Sequence, residues 1–332
     1  VGGGPHTFDC NGPTTISTNR EIVIGNDVIL DGEGNLILDG QDNHRVLSVP
    51  SGSRVTLDGI TVTRGYIDDG NGGGIANGGR LTLLNSAVKN SVARLTSRYL
   101  KRGYGGGIHN TETVTLINCT VSGNTARGTW QPPTWCWEGP CPDVFVGGDG
   151  GGIDNRKTLL LINSTVSENE AEGIGGGIYN QYGHVGRYTN STISGNRALR
   201  GGAIYNNSGG TLTVTNTLVN GVCNEPYGAV VSNGYNVESP GDTCGFDQET
   251  DQVNVSAEEL NLGRLADNGG PTMTHALLTD PEDSVAIDWI PAQDCLDADG
   301  APLATDQRGE PRPVAILGAE PKCDVGAFEV QP

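Results

Sequence analysis

The chain has 332 residues, of which 52 are glycine and 35% hydrophobic, and its formal charge is −19. Glycine at about twice its usual share of roughly 7% suits a thin-cored β-structure, and one Met with four Phe argues against a helical bundle. The acidic balance argues against nucleic acid or an anionic membrane as partner, and no apolar run reaches the roughly 18 residues that cross a bilayer, so no membrane insertion is expected.

Residues 1 to 64 alternate apolar and polar residues in short runs (EIVIGNDVILDG, NLILDG, RVLSV, RVTLDGITV) broken by Gly/Asn turns. They read as the first coils of a solenoid, expected to cap its edge as terminal repeats do.

Residues 65 to 220 repeat one phrase: GGGIAN (72–77), GGGIHN (105–110), GGGIDN (150–155), GGGIYN (175–180) and GGAIYN (201–206). Each is followed by a Thr/Leu/Ile-rich run ending in Asn, and in most copies by a second run such as STVSEN or STISGN. The closest copies start 25 and 26 residues apart, the length of one coil of a parallel β-helix with three short strands and three turns; longer periods imply loop insertions. The expected fold class is therefore all-β: a three-sheet parallel β-helix, one continuous domain.

Within the phrase Ile75, Ile108, Ile153, Ile178 and Ile204 should point inward, and a side-chain period of two then points Ala76, His109, Asp154, Tyr179 and Tyr205 outward. Rungs lie about 4.8 Å apart, which makes His109, Asp154 and Tyr179 neighbours on one strip. Gly74, Gly107, Gly152, Gly177 and Ala203 should form a bare floor beside it. Three Asn columns run through the coils: Asn77, Asn110, Asn155, Asn180, Asn206; Asn85, Asn118, Asn163, Asn190, Asn216; and Asn124, Asn169, Asn196. Asn tolerates left-handed turns and its amide can bond the copy above, so the sequons at Asn118, Asn163 and Asn190 read as ladder positions rather than glycan sites.

The insertions all precede the GGGI phrase: GYIDDGN (65–71), ARLTSRYLKRGY (93–104) and ARGTWQPPTWCWEGPCPDVFVGGD (126–149). Loops of this length are usually functional. Residues 221 to 332 read as the last coil and a tail that covers it and packs along the helix.

Eight cysteines without a zinc-like pair favour disulfides and an oxidising compartment. Cys136 with Cys141, Cys223 with Cys244, and Cys295 with Cys323 are plausible local pairs; Cys10 and Cys119 are left over, and spacing does not assign their connectivity. The start at Val1 reads as a mature secreted form with its leader removed.

The tail phrases LADNGGPTMTHALL, VAID, DQRGEPRP and CDVGAFE, following GGGI-x-N coils, resemble the bacterial surface proteins called choice-of-anchor Q domain proteins, over most of residues 65 to 330. The resemblance implies a right-handed β-helix of the pectate-lyase-like kind, exported to or beyond the cell surface. The family pattern usually continues into an anchoring segment, whereas this sequence stops at Gln331 and Pro332. The resemblance assigns no catalytic residues.

For chemistry, His109 beside Asp154 is the candidate acid/base pair, with Tyr179 able to exchange a proton with a leaving oxygen. The bland alternative is a variable, exposed position. Arg156 and Tyr205 flank the strip; Arg98, Lys101, Arg102 and Tyr104 make a local basic patch that would suit an anionic polysaccharide, unless it only neutralises nearby aspartates. Trp130, Trp135 and Trp137 share one Pro-rich loop and could stack on sugar rings or on each other. Asp68, Asp69 and Asp149 could hold Ca²⁺, though no cofactor is required. GGDGGGIDN lacks the Asp of a calcium nonapeptide, and no Lys-Ser/Thr pair closes a phosphate loop. The function expected is a secreted monomer that binds and cleaves an anionic polysaccharide as a lyase or glycoside hydrolase. The alternatives are a non-catalytic adhesin that binds a surface glycan, and a structural stalk.

Overall fold

The computed structural model describes residues 4–9, 11–97, 103–131, 144–181, 183–224, 228–315 and 320–332. The architecture is the expected parallel β-helix. Each coil contributes a short strand to face I (Ile75–Asn77, Ile108–Asn110, Ile153–Asn155, Ile178–Asn180, Ile204–Asn206) and a five-residue strand to face II (Arg80–Leu84, Thr113–Ile117, Thr158–Ile162, Val185–Thr189, Thr211–Thr215). A turn then leads to face III (Ala87–Lys89, Thr120–Ser122, Thr165–Ser167, Thr192–Ser194, Leu218–Asn220). Side IV closes the coil with Tyr66–Asp68, Val92–Arg94, Thr125–Gln131 and Glu170–Ala171. Faces II and III merge through the long strands Val28–Asp39 and Arg54–Thr63 into one bent 16-stranded sheet; face I belongs to an eight-stranded sheet and side IV to a five-stranded one.

Alternation inside each strand builds the core. The five face I isoleucines are at most 2% exposed, and Leu81, Leu83, Val114, Leu116, Leu159 and Leu161 stack below them. One rung departs from the pattern in a compensated way. Gly186 stands in register with Leu159 and Leu212, and the fully buried Tyr188 of the same strand fills the space it leaves. The Tyr188 hydroxyl accepts from Asn180 Nδ2 at 2.9 Å.

The Asn columns are ladders. Asn77 Nδ2 donates to Asn110 Oδ1 at 2.8 Å, Asn110 to Asn155 at 2.8 Å, and Asn155 to Asn180 at 3.0 Å. Asn124 and Asn169 likewise donate up their column at 2.9 Å each. Asn85, Asn118, Asn163, Asn190 and Asn216 all adopt positive φ between 46° and 54°, the left-handed turn Asn accommodates. Asn163 and Asn190 are at most 2% exposed, which removes them as glycan acceptors on the folded surface.

Just after this column runs another that the sequence also displays: Ser86, Cys119, Ser164, Ser191, Thr217. Each points its hydroxyl or thiol back to the carbonyl two residues earlier. Cys119, left unassigned by the sequence, thus occupies a serine position as a buried free thiol. The Cys223–Cys244 and Cys295–Cys323 disulfides are present as expected and fit an oxidising compartment. Cys10, Cys136 and Cys141 lie outside the described residues.

The two ends differ. At the C-terminal end Phe246 and the Cys223–Cys244 bridge join the core cluster and close it. At the N-terminal end the described residues do not cross the core as the expected cap would: an apolar well of about 540 Å³ opens among Phe8, Ile16, Val23, Leu30 and Leu36. The reason is that Pro5–Thr7 and Thr14–Ser17 pair alongside Val28–Asp39, and Ile22–Val23 alongside Leu47–Val49, so they extend the walls rather than cross the end.

The tail packs along the corner between faces II and III. Asn163, Asn190 and Asn216 donate to the carbonyls of Thr305, Leu296 and Asp294, and the Gln307 side chain bonds Thr165 and Thr120. The phrases DQRGEPRP and CDVGAFE are two halves of one buried ion network. Arg312 bonds Glu329 at 2.8 Å and the Asp324 carbonyl at 2.6 Å, and Arg308 bonds Asp306 at 2.8 Å while lying over the Phe328 ring. Charges this deep are tolerated because each has a partner.

Candidate ligand-binding sites

The outward column of face I is in register as expected: His109 faces Ala76 and Asp154, Asp154 faces Tyr179, and Tyr179 faces Tyr205. Its exposure is not as expected. His109 is 9% exposed, Asp154 0%, and Tyr179 and Tyr205 7% each. The side chains do point away from the core, but residues from the insertions and from the turns after each strand fold over them. Arg156, two residues past Asp154, lies against the Tyr104 ring with its guanidinium carbon 4.6 Å from the centroid. Asn71 approaches His109 Nε2 at 3.5 Å, and Asn207 Nδ2 donates to the Tyr179 hydroxyl at 3.1 Å. Tyr205 packs edge-on against Tyr179, centroids 5.6 Å apart.

At the centre, Asp154 Oδ2 lies 2.6 Å from His109 Nδ1 and accepts from Arg156 Nε at 2.9 Å, while Oδ1 accepts from Gln181 Nε2 at 3.3 Å. Burial pushes the neighbouring Asp149 carboxyl up to about 7, with the Asp154 charge adding to the rise. Burial also raises Tyr104 and Tyr179 and lowers His184. A cluster of shifted groups marks a functional candidate. Here, however, the carboxylate has donors on both oxygens and no solvent exposure, which makes it first a clamp between rungs.

The expected glycine floor faces the other way. A Cβ on Gly107, Gly152 or Gly177 would stand 2.9 Å from the carboxamide carbon of Asn124, Asn169 or Asn196. These glycines let the corner close onto the Asn ladder. Alternation does not run through the corner because the first glycine of each phrase has positive φ: 69°, 66°, 67°, 67° and 58° at Gly72, Gly105, Gly150, Gly175 and Gly201.

The three aspartates considered for Ca²⁺ do not converge. Asp69 accepts from Thr96 N, Thr96 Oγ1 and Ser97 N, Asp68 from the Tyr66 hydroxyl, and Asp149 from Ile174 N. Among the described residues no group of three His, Cys, Asp or Glu side chains is arranged to hold a metal. Arg98, Lys101, Arg102, Trp135 and Trp137 lie outside the described residues.

Trp130 stands apart from the His109 cluster, over side IV. It is carried by a hairpin in which Thr125–Gln131 runs antiparallel to Val144–Gly147, and it is 63% exposed. Ala126 and Ala171 point inward, which turns Glu170 and Glu172 outward on one strand. With Arg197 and the 74%-exposed Leu199 they line an open trough of about 620 Å³ beside Trp130. Glu172 Oε2 accepts from Gly128 N at 3.0 Å and ties the hairpin base to the solenoid. The sequence reading missed Arg197, Leu199 and the trough they line with Glu170 and Glu172. The signal was the alternation in EAE (170–172) and RAL (197–199), after the second run of their coils.

Residues 190–207, NSTISGNRALRGGAIYNN, match the model of the Chlamydia polymorphic membrane protein repeat. The match spans one face III strand, the edge of the trough and one face I strand, and leaves the tail phrases outside it. No curated protein and no solved structure matches the chain.

Proposed function

We propose that this protein is a non-catalytic surface solenoid that binds a glycan in the trough on side IV, with Trp130 as the stacking platform. The observation that carries the reading is the trough itself: an exposed indole held on a tied hairpin, beside outward carboxylates and Arg197 that can bond sugar hydroxyls. The similarity of one coil to a polymorphic membrane protein repeat and the two disulfides support placement at the cell surface or beyond it. The test is titration of neutral and anionic polysaccharides into wild type and Trp130→Ala. Binding weakened about tenfold or more by the substitution supports the reading, and unchanged binding removes the trough from it.

Cleavage is the second reading, favoured by the 2.6 Å His109–Asp154 contact beside the raised Asp149. It requires Tyr104 and Arg156 to move aside and admit a saccharide. New reducing ends or unsaturated-uronate absorbance, lost in His109→Ala, would establish it.

A further inference from the structure

A second concavity, of about 340 Å³, lies over face II rather than side IV. Its floor is two adjacent rungs in register, Arg187 with Thr213 and Thr189 with Thr215. One wall is tail segment 294–300, held by Asn190 Nδ2 to Leu296 O (2.8 Å), Asn216 Nδ2 to Asp294 O (3.0 Å) and Arg187 Nη1 to Ala298 O (2.8 Å). Another wall is Asn233, which donates to Thr215 Oγ1 at 3.1 Å, and Tyr235, whose hydroxyl donates to Asp294 Oδ2 at 2.9 Å. The walls are thus fixed before any ligand arrives, which lowers the cost of binding.

Two features define what fits. Asn216 is 1% exposed, and its Oδ1 has no donor among the described residues: the next rung places Tyr235, whose hydroxyl bonds Asp294, where the column would need another Asn amide. An orphan acceptor at a polar pocket calls for a hydroxyl donor, directly or through water. The charged groups lining the pocket are Arg187, Asp294 and Asp297, a net negative set that disfavours a carboxylate-bearing sugar. The volume is at the small end for ligand pockets.

We infer that this pocket binds a single neutral sugar ring, whose hydroxyls accept from Arg187 and supply, through water, the donor that Asn216 Oδ1 lacks. The site requires nothing of Trp130, and the two glycan sites stand or fall separately.

The test is saturation-transfer NMR with glucose, galactose, mannose and N-acetylglucosamine, with glucuronate as the acidic control, on wild type, Trp130→Ala, Thr213→Trp and Thr213→Val. Thr213 is half-buried on an open strand face, so the indole fills the pocket while the strand is retained, checked by the melting temperature. A neutral-sugar signal that survives Trp130→Ala, disappears in Thr213→Trp and weakens several-fold in Thr213→Val is the expected result. Absence of signal from every neutral sugar, a signal from glucuronate alone, or a signal that persists in Thr213→Trp overturns the inference. Loss in Trp130→Ala alone also overturns it and leaves the trough as the sugar site.

Discussion

His109 and Asp154 face each other on adjacent rungs, and the imidazole Nδ1 sits 2.6 Å from a carboxylate with no solvent exposure. Asp154 also holds Arg156 and Gln181, so one side chain ties together the strand before it and the turns after it. Asp154→Ala would leave Arg156 without its buried counter-charge and His109 Nδ1 without its hydrogen-bond partner. The expected loss is about 3–5 kcal/mol, read by chemical denaturation. A loss under about 1 kcal/mol would show that the pair does not clamp the rungs.

Gly152→Ala tests the corner. The added Cβ would meet the Gly177 carbonyl oxygen at 2.6 Å and the Asn169 carboxamide at 2.9 Å, and the expected cost is about 1–3 kcal/mol. In the fifth copy Ala203 takes this place, and the Asn column ends at Asn196 one rung earlier. A neutral Gly152→Ala would refute the assignment of these glycines to the ladder.

The pH dependence has a definite sign. Burial raises the folded-state carboxyl of Asp149 to about 7, from about 3.8 when unfolded, and burial with the Glu329 charge raises that of Asp324 in the same direction, so in that window the folded chain holds protons that the unfolded chain has released. Their contribution favours folding at low pH and is lost as pH rises from about 4 to about 7. The melting temperature should fall across that window, and Asp149→Asn should flatten the fall. A slope unchanged by the substitution would contradict the burial argument for Asp149.

Cys119→Ser should leave stability within about 1 kcal/mol, because the neighbouring rungs place serine in the same column. Burial pushes the Cys119 thiol up to about 12, so in the native state it should resist alkylation at neutral pH. Rapid modification of this residue in folded protein, located by peptide mapping, would contradict its placement.

Much of the fold was legible because its repeat is written in residue types with narrow uses. The isoleucines of GGGI-x-N could face only the core, and Asn recurring at turns could form only ladders. The Cys223–Cys244 and Cys295–Cys323 bridges followed from local spacing. The errors came where a local rule was carried past its range. Alternation gave the direction of His109 and Asp154 correctly, but direction is not exposure: Tyr104, Arg156 and Asn71 cover the strip, and nothing in strand periodicity encodes what a loop covers. The glycines lie in a corner where alternation does not hold. Cys119 was left over by the local cysteine pairs, although its own column identifies it as a serine equivalent. The trough was not legible because it lies outside the phrase that repeats, and Arg197 and Leu199 belong to a segment that differs from coil to coil.

The most direct measurement is a glycan-panel titration of wild type and Trp130→Ala, with reducing ends and unsaturated-uronate absorbance followed in the same samples. The account predicts saturable binding to at least one glycan, weakened about tenfold or more by Trp130→Ala, without product in either signal. Product that appears in wild type and vanishes in His109→Ala, or no glycan bound across the panel, would contradict it.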